Sequence, residues 1–203
     1  MLTVLLCLVT PGATLLLSNS PPAARHVIDA AFDRQTHSKQ LAGLHSLGNI
    51  SGENRSEGNI ILNGDAEEHL RVLIYQTASQ SSKLTPSGLF LSVLRQDSEV
   101  RLAAYRVITA LVVRQWCLME ICSKQEIINI VTDPATETTK TGMEARYNCC
   151  KAIHKAFVSS SKISSIASLA KMATKLQEAV SRGPYLTGKL GEAQPAVMTA
   201  ERF

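Results

Sequence analysis

Aromatic residues are scarce in this chain, which has one Trp, four Tyr and four Phe among its 203 residues. Small β-sandwiches and modules that stack bases on aromatic rings usually carry more, so the composition disfavours both classes. Cysteine is scarce as well, and its number, five, is odd. We therefore expect a reducing compartment rather than a disulfide scaffold. Hydrophobic residues make up 45% and charged residues 19%, which excludes a wholly disordered chain.

Charge is absent from the first 24 residues, since Arg25 is the first charged side chain. An apolar run at residues 2–9 ends at Pro11-Gly12. The run lacks the basic start of a secretory signal, and it is shorter than the roughly 20 apolar residues that span a bilayer. We expect residues 1–20 to include a buried helix whose neighbouring helix lies outside this chain. A secretory signal is the alternative.

The remaining charge is uneven. Residues 1–82 hold five Lys and Arg against seven Asp and Glu, whereas residues 83–203 hold 16 against ten. Six basic residues and no acid occur from position 146 to 175. One interpretation is a solvated helix face. The other is a surface for an acidic partner or for nucleic acid.

Apolar residues recur at intervals of three and four almost throughout, which predicts an all-α fold. Thr85-Pro86 is a helix start, residues 96–99 form a polar turn, and Gly183-Pro184 ends the last helix. No stretch is a confident strand, and residues 127–132, the best candidate, are predicted to be helical. Helices are predicted at residues 23–35, 39–47, 65–79, 142–158 and about 163–182, with Gly48 ending the second of them. One helix is also predicted before the 96–99 turn and one after it. Residues 116–131 are predicted to form one or two helices.

Helix pairs recur about every 40 to 50 residues with degenerate sequence. That period is typical of an α-solenoid of armadillo or HEAT type, and a closed helical bundle is the alternative. The helix after the 96–99 turn has an apolar stripe, with Leu102 and Val113 on its opposite side, so we expect it to be sandwiched between other helices. The stripe consists of Val100, Ala104, Val107, Ile108 and Leu111. We assign residues 1–186 to one truncated repeat domain and residues 187–203 to a flexible tail.

No constellation of residues predicts catalysis or a cofactor. Cys149-Cys150 with His154 has the spacing of half a zinc site, but no second pair matches it, and buried cysteine usually acts as a small hydrophobe. A glycine-rich phosphate loop is also lacking. We therefore expect no enzymatic activity, no metal and no cofactor.

A binding surface is the remaining kind of site. In a solenoid, the second helix of each pair lines a concave groove, where exposed polar residues meet a partner. Arg101, Tyr105 and Arg106 are predicted on or near the outer side of such a helix. A rival patch of Arg146, Lys151 and Lys155 would suit an acidic partner. Solvated surface without a partner is the alternative for both sets.

Residues 141–186 resemble the last repeats of the 26S proteasome non-ATPase regulatory subunit 5 family, in its plant-like form. The resemblance rests on Glu144-Ala145-Arg146-Tyr147, on Lys151-Ala152-Ile153, on Leu176, and on Ser181-Arg182-Gly183-Pro184-Tyr185-Leu186. Gly-Pro-Tyr after the final helix is the most specific of these features. Residues 85–131 are compatible with preceding repeats.

The resemblance implies a cytoplasmic, and in part nuclear, armadillo/HEAT chaperone without enzymatic activity. Members of that family bind an ATPase subunit of the proteasome regulatory particle base during assembly. They are much longer than this chain, which is therefore expected to be a carboxyl-terminal portion. No small-molecule substrate or membrane is implied. A helical-repeat module for protein or nucleic acid, unrelated to the proteasome, is the alternative function, with the acidic first part arguing against nucleic acid.

Overall fold

The computed structural model describes residues 10–19, 21–52, 62–164 and 167–185. Within these ranges the chain is helical and no residue forms a β-strand, so the all-α prediction is confirmed there. Two short 3₁₀ turns, Pro134–Thr136 and Ala167–Leu169, interrupt the helices. The helices are α1 (Thr10–Asn19), α2 (Pro21–Phe32), α3 (His37–Ser51), α4 (Gly64–Gln80), α5 (Pro86–Leu94), α6 (Ser98–Leu111), α7 (Gln115–Ser123), α8 (Gln125–Thr132), α9 (Lys140–Ser159), α10 (Ser161–Ser164) and α11 (Ala170–Arg182).

Side-chain caps fix the helix starts that the sequence predicted. The Thr85 hydroxyl accepts a hydrogen bond from the Gly88 amide at 3.1 Å, with Pro86 in the first turn of α5. The Asp97 carboxylate accepts from the amides of Glu99 and Val100 at 3.0 and 3.1 Å. These bonds satisfy amides that have no partner within their own helix. Both predicted starts are thus confirmed.

The end of α3 differs from the prediction. Gly48 does not end this helix, because Gly48 is buried inside it and the helix continues to Ser51. Gly52 terminates α3 instead, with a left-handed φ of 98° that an L side chain rarely adopts. Its amide donates to the carbonyls of Gly48 and Asn49 at 3.1 and 3.2 Å.

The last predicted helix is broken in the structure. α10 covers only Ser161–Ser164, a 3₁₀ turn follows at Ala167–Leu169, and α11 begins at Ala170. Serine side chains hydrogen-bond to nearby backbone and so compete with helix formation. The 3₁₀ turn at Ala167–Leu169 therefore lies where the apolar period alone would have continued an α-helix.

The helices pack in two rows. α6 contacts both α3 and α9, and these three helices form the α3–α6–α9 row. α5 contacts α4, α7 and α8, and these four form the α4–α5–α7–α8 row. Contacts of α5 with α6 and of α8 with α9 join the rows around one hydrophobic core. This packing is compatible with a helical solenoid, and the repeat type stays a prediction.

The prediction that α6 is sandwiched is confirmed, and all five residues of its apolar stripe are buried. The second buried side is not the predicted one, however. Val113 lies beyond the end of α6 and is 66% exposed. The residues of α6 that are buried in addition to the stripe are Ala103, Tyr105 and Ala110. Alanines allow neighbouring helices to approach closely on both sides of α6.

Some predictions fall on residues that the structure does not describe. Residues 2–9 and the predicted tail at 187–203 lie outside the described ranges, and the assignment of residues 1–186 to one repeat domain stays a prediction. In the described part of the chain, no helix is both long enough and apolar enough to cross a membrane.

Candidate protein-binding face

The structure separates the six predicted partner-binding residues into a buried and an exposed group. All six lie on α6 or α9, in the α3–α6–α9 row. Tyr105 and Arg146 are buried, and Arg101 and Arg106 are partly buried. Lys151 and Lys155 are exposed. Whether any of them binds a partner stays a prediction, but their locations can be compared with the predicted ones.

Arg101 is committed to an internal ion pair. Its Nε donates to Oε1 of Glu137, and its Nη2 lies 3.3 Å from Oε2 of the same carboxylate. Its Nη1 donates to the carbonyl of Gln96 at 2.9 Å, and Nη2 to that of Thr136 at 3.4 Å. The hydrogen bond to Glu137 raises the pKa of Arg101. Arg101 therefore ties the start of α6 to the loop before α9.

Tyr105 is not on the outer side of α6, and its predicted exposure is wrong. The side chain is fully buried, and its hydroxyl donates to Oε1 of Glu137 at 3.0 Å. Burial, followed by the charge of Glu137, raises the pKa of Tyr105. The ring is buried outside the apolar stripe of α6, and its polar tip lies on the buried carboxylate, as is usual for buried tyrosine.

Arg146 is buried as well, so its predicted place in an exposed basic patch is wrong. Only 2% of the residue is exposed. Nη1 donates to the carbonyl of Val131 in the last turn of α8 at 2.9 Å, and Nη2 to that of Pro184 after α11 at 3.1 Å. The carbonyl ends of helices carry partial negative charge and stabilise a cation there. Arg146 therefore joins two helix ends.

Two of the motifs that carry the family resemblance, at 144–147 and 181–186, contact each other. Besides the bond from Arg146 to Pro184, the Tyr185 hydroxyl donates to Oε1 of Glu144 at 2.5 Å. The Tyr147 hydroxyl donates to the carbonyl of Val180 at 3.3 Å. The segment at 144–147 thus holds the chain where it leaves α11. The contacts give the motif a structural role, and they bond Tyr185 to α9.

Arg106, Lys151 and Lys155 are the predicted residues that reach the surface of the α3–α6–α9 row. Nη1 of Arg106 lies 3.2 Å from Nδ1 of His45, so it faces α3. Lys151 and Lys155 are one turn apart on the outer side of α9. These three side chains are separated in the sequence, but the packing of α6 between α3 and α9 places their helices side by side.

The two rows carry opposite charge. The α3–α6–α9 row has seven Lys and Arg against two Asp and Glu, and the α4–α5–α7–α8 row has one against five. A field of one sign over a surface favours a partner of the opposite sign. Arg101 and Arg146 turn inward, so the cations that the α3–α6–α9 row presents to solvent are the exposed Lys39, Lys140, Lys151 and Lys155 and the partly exposed Arg106.

Sequence reasoning missed two residues that shape this region. Glu137 is 3% exposed, and its carboxylate accepts hydrogen bonds from the side chains of Arg101 and Tyr105. Arg114 is also buried, and its Nη1 donates to the carbonyls of Ser51 and Ala110 at the ends of α3 and α6, at 3.3 and 2.9 Å. Glu137 lies in a Thr-rich loop and Arg114 follows the end of a helix, and charged residues at such positions are usually exposed to solvent. No local signal in the sequence therefore identified either residue as buried.

The cysteines that the structure describes are small core residues. Cys117, Cys122, Cys149 and Cys150 are buried, and burial raises the pKa of each, to about 11 for Cys122 and Cys150. A thiol held protonated is a poor nucleophile and a poor metal ligand. Among the described residues, no group of three or more His, Cys, Asp and Glu side chains could hold a metal ion.

A family model described as proteasome non-ATPase 26S subunit matches residues 89–202, which is more than half of the chain. The chain belongs to this family. The predicted membership of a proteasome non-ATPase subunit family is therefore confirmed. No curated protein and no solved structure gave a significant match. The matched region contains the whole of α6 to α11, and with them all six predicted partner-binding residues.

Proposed function

We propose that this chain is a non-catalytic scaffold that binds an ATPase subunit of the proteasome regulatory particle base and assists assembly of the 26S proteasome. It would act as an armadillo/HEAT-like array in the cytoplasm, with the nucleus as a second compartment. Membership of a non-ATPase subunit family supports a proteasomal protein partner and no catalytic role. The finer statements, on chaperone action and on the ATPase, rest on the resemblance of residues 141–186.

The observation that carries the proposal is the surface of the α3–α6–α9 row, of which α6 and α9 lie inside the family-matched region. Successive contacts of α3 with α6 and of α6 with α9 make a continuous helical face, as in proteins that bind partners along stacked helices. Lys151 and Lys155 are exposed on that face, and the partly buried Arg106 adds a third cation. We therefore place the docking surface on these residues and expect the partner to be acidic there.

Binding of the full chain to each base ATPase subunit, produced singly, tests the proposal. We expect one subunit to be retained at physiological salt, and Arg106→Glu combined with Lys151→Glu and Lys155→Glu to abolish its retention. Reversing charges at the centre of an electrostatic interface introduces repulsion as well as removing attraction. Lys171→Glu is the control, since Lys171 is also an exposed lysine but lies on α11.

Failure of every base subunit to bind would exclude the proposed partner. Retention of a subunit by the triple variant, with its circular dichroism unchanged, would instead exclude the proposed face. Arg101, Tyr105 and Arg146 are unsuitable for this test, because their substitution would disturb the fold through Glu137 or through the ends of α8 and α11.

A further inference from the structure

An open groove of about 450 Å³ lies along α4 and the loop that joins α4 to α5. It is lined by Arg71, Val72, Tyr75, Gln76, Ser79 and Leu84. The groove lies on the α4–α5–α7–α8 row, outside the family-matched region that begins at residue 89. The face assigned above to the ATPase subunit does not include it.

Leu84 projects from this groove on a strained backbone. Its φ is 60°, and it is the only described residue other than glycine with a positive φ. The Thr85 amide donates to the Lys83 carbonyl at 2.8 Å across it, which closes a γ-turn of the rare positive-φ kind. Despite this strain the side chain is not buried, since 71% of Leu84 is exposed. The strain therefore holds an apolar side chain out of the core, beside Val72, which is 36% exposed.

The strained turn is fixed in place by the start of α5. The Thr85 hydroxyl caps α5 through the Gly88 amide. A Cβ added at Gly88 would lie 2.7 Å from the Lys83 carbonyl oxygen, so only glycine allows the loop to approach α5 this closely. The position of Leu84 is thus set by α5 rather than by contacts of its own side chain. Strain of this kind, maintained by its surroundings, is concentrated at binding sites.

The floor of the groove is rigid. The Tyr75 ring lies 5.9 Å from that of Trp116, centroid to centroid, and its hydroxyl donates to Oε1 of Glu120 at 2.8 Å. The other oxygen of Glu120 accepts from the Ser87 amide at 3.2 Å. Tyr75 is therefore anchored at its ring and at its tip, which preorganises an aromatic surface for an apolar ligand group.

Cations border the groove. Arg71 stacks over Tyr75 with its guanidinium carbon 5.8 Å from the ring centroid, and Arg25 donates through Nη2 to the amide oxygen of Gln76. Lys83 is exposed next to Leu84. Glu68 pairs with Arg71 at 2.6 and 2.8 Å, and the Glu120 carboxylate is engaged by the Tyr75 hydroxyl and the Ser87 amide. The α4–α5–α7–α8 row as a whole has more acids than cations, but these three cations border the groove together with one solvent-facing acid, Glu68.

We propose that this groove is a second docking site, which binds a segment of a protein partner that has an apolar side chain flanked by carboxylates. The apolar side chain would pack between Leu84 and Tyr75, and the carboxylates would pair with Arg25, Arg71 and Lys83. A groove with an aromatic floor and a cationic rim fits such a segment better than it would fit a purely apolar segment or a basic one.

A short amphipathic peptide with one leucine face and one glutamate face is the probe. Trp116 is the only tryptophan of the chain and its ring contacts that of Tyr75, so its fluorescence reports on the groove. We expect the full chain to bind this peptide with a saturable change in Trp116 emission. A matched peptide with lysine for glutamate should bind at least about fivefold more weakly, and a serine–glutamate peptide should not bind.

Leu84→Gly separates a binding role from a structural one. Glycine relieves the positive φ, so the variant should unfold at the same or a higher temperature than the unchanged chain. It should nevertheless lose about tenfold in peptide affinity, because the apolar contact is removed. Val72→Ser should also weaken binding of the peptide, whereas Val113→Ser, at an exposed valine elsewhere, should not.

Three results would overturn the proposal: no binding of the glutamate peptide, equal binding of the glutamate and lysine peptides, or full affinity in Leu84→Gly. None of them bears on retention of an ATPase subunit, which is assayed separately on Arg106, Lys151 and Lys155. The two docking sites can therefore fail independently.

Discussion

The two helix rows use their charged residues in different ways. In the α3–α6–α9 row, Arg101 and Arg146 turn inward and bind carbonyls at helix ends, with Glu137 as a buried partner. In the α4–α5–α7–α8 row, Arg71 and Glu68 pair in solvent, and Glu120 accepts a hydrogen bond from the Tyr75 hydroxyl. Arginines in the first row thus connect helices, whereas charges in the second row border an open groove. The net charge of a helix therefore says little about how much of that charge reaches the surface.

Arg146 and Lys151 show this difference within a single helix. Arg146 is in phase with Cys150, Ile153 and Phe157, which are all buried, and Lys151 is out of phase with them. A planar guanidinium can also reach two carbonyls at once, which the ammonium of lysine does less well. The basic stretch from 146 to 175 is consequently a mixture of internal and exposed cations.

Removing Glu137 should have the largest effect on stability. Glu137→Ala leaves Arg101 and the Tyr105 hydroxyl without their buried acceptor, and breaking a buried pair by removing one partner costs about 3–5 kcal/mol. We expect urea unfolding of this variant to show a loss near the lower end of that range, because 17% of the Arg101 side chain is exposed.

Glu126→Ala is the matched control, since Glu126 is an exposed acid on α8, and its loss should stay below about 0.5 kcal/mol. A double-mutant cycle with Arg101→Ala should give a coupling free energy above about 1 kcal/mol. Equal stability of Glu137→Ala and Glu126→Ala would contradict the buried interaction of Glu137 with Arg101 and Tyr105. It would also remove the contrast between the two rows.

Arg146→Ala should have the next largest effect. It removes hydrogen bonds to the carbonyls of Val131 and Pro184 and leaves a cavity between α8 and α11, at a cost of about 2–3 kcal/mol. Lys151→Ala, on the exposed side of the same helix, should change the free energy of unfolding by less than about 0.5 kcal/mol. Guanidinium unfolding of the two variants, measured side by side, checks the difference, and the reverse order would be incompatible with the structure.

Sequence reasoning predicted the helices well because their signals are local. Thr85-Pro86 and Asp97 cap helices, and the stripe of α6 is buried, because capping and the 3.6-residue period act over one or two turns. The burial of Arg146 could have been inferred from its phase with Ile153. Glu137 could not, since its partners lie more than 30 residues away, on a helix whose position depends on the whole packing. The groove at Leu84 was missed because nothing in the sequence indicates a positive φ at leucine.

Tyr75→Phe should have a smaller effect, which depends on pH. Burial, followed by the hydrogen bond to Glu120, raises the pKa of Tyr75 from 10.0 to about 12. The unfolded tyrosine therefore ionises near pH 10 while the folded one keeps its proton, so the folded state binds more protons and its stability falls as pH rises from 10 to about 12. Below pH 10 the variant should be less stable by about 1 kcal/mol, through loss of one hydrogen bond.

Across the alkaline range this disadvantage should shrink, because phenylalanine has no proton to lose. Thermal unfolding of both chains at a series of pH values up to that range is the measurement. A difference that stays constant with pH would mean that Tyr75 is not held by Glu120 in solution, and the groove would then lack its rigid floor.

Three threonines that precede helices allow the smallest of these stability effects to be compared between the two rows. Thr85 and Thr139 accept hydrogen bonds from the amides of Gly88 and Gly142, both at 3.1 Å, whereas Thr36 precedes α3 without a side-chain cap. Thr85→Ala and Thr139→Ala should each lose about 1 kcal/mol, and Thr36→Ala only a few tenths. Thermal unfolding under identical conditions measures all three. Because Thr85 also follows Leu84, its loss should release the γ-turn and weaken binding of the leucine–glutamate peptide, which Thr139→Ala should leave unchanged.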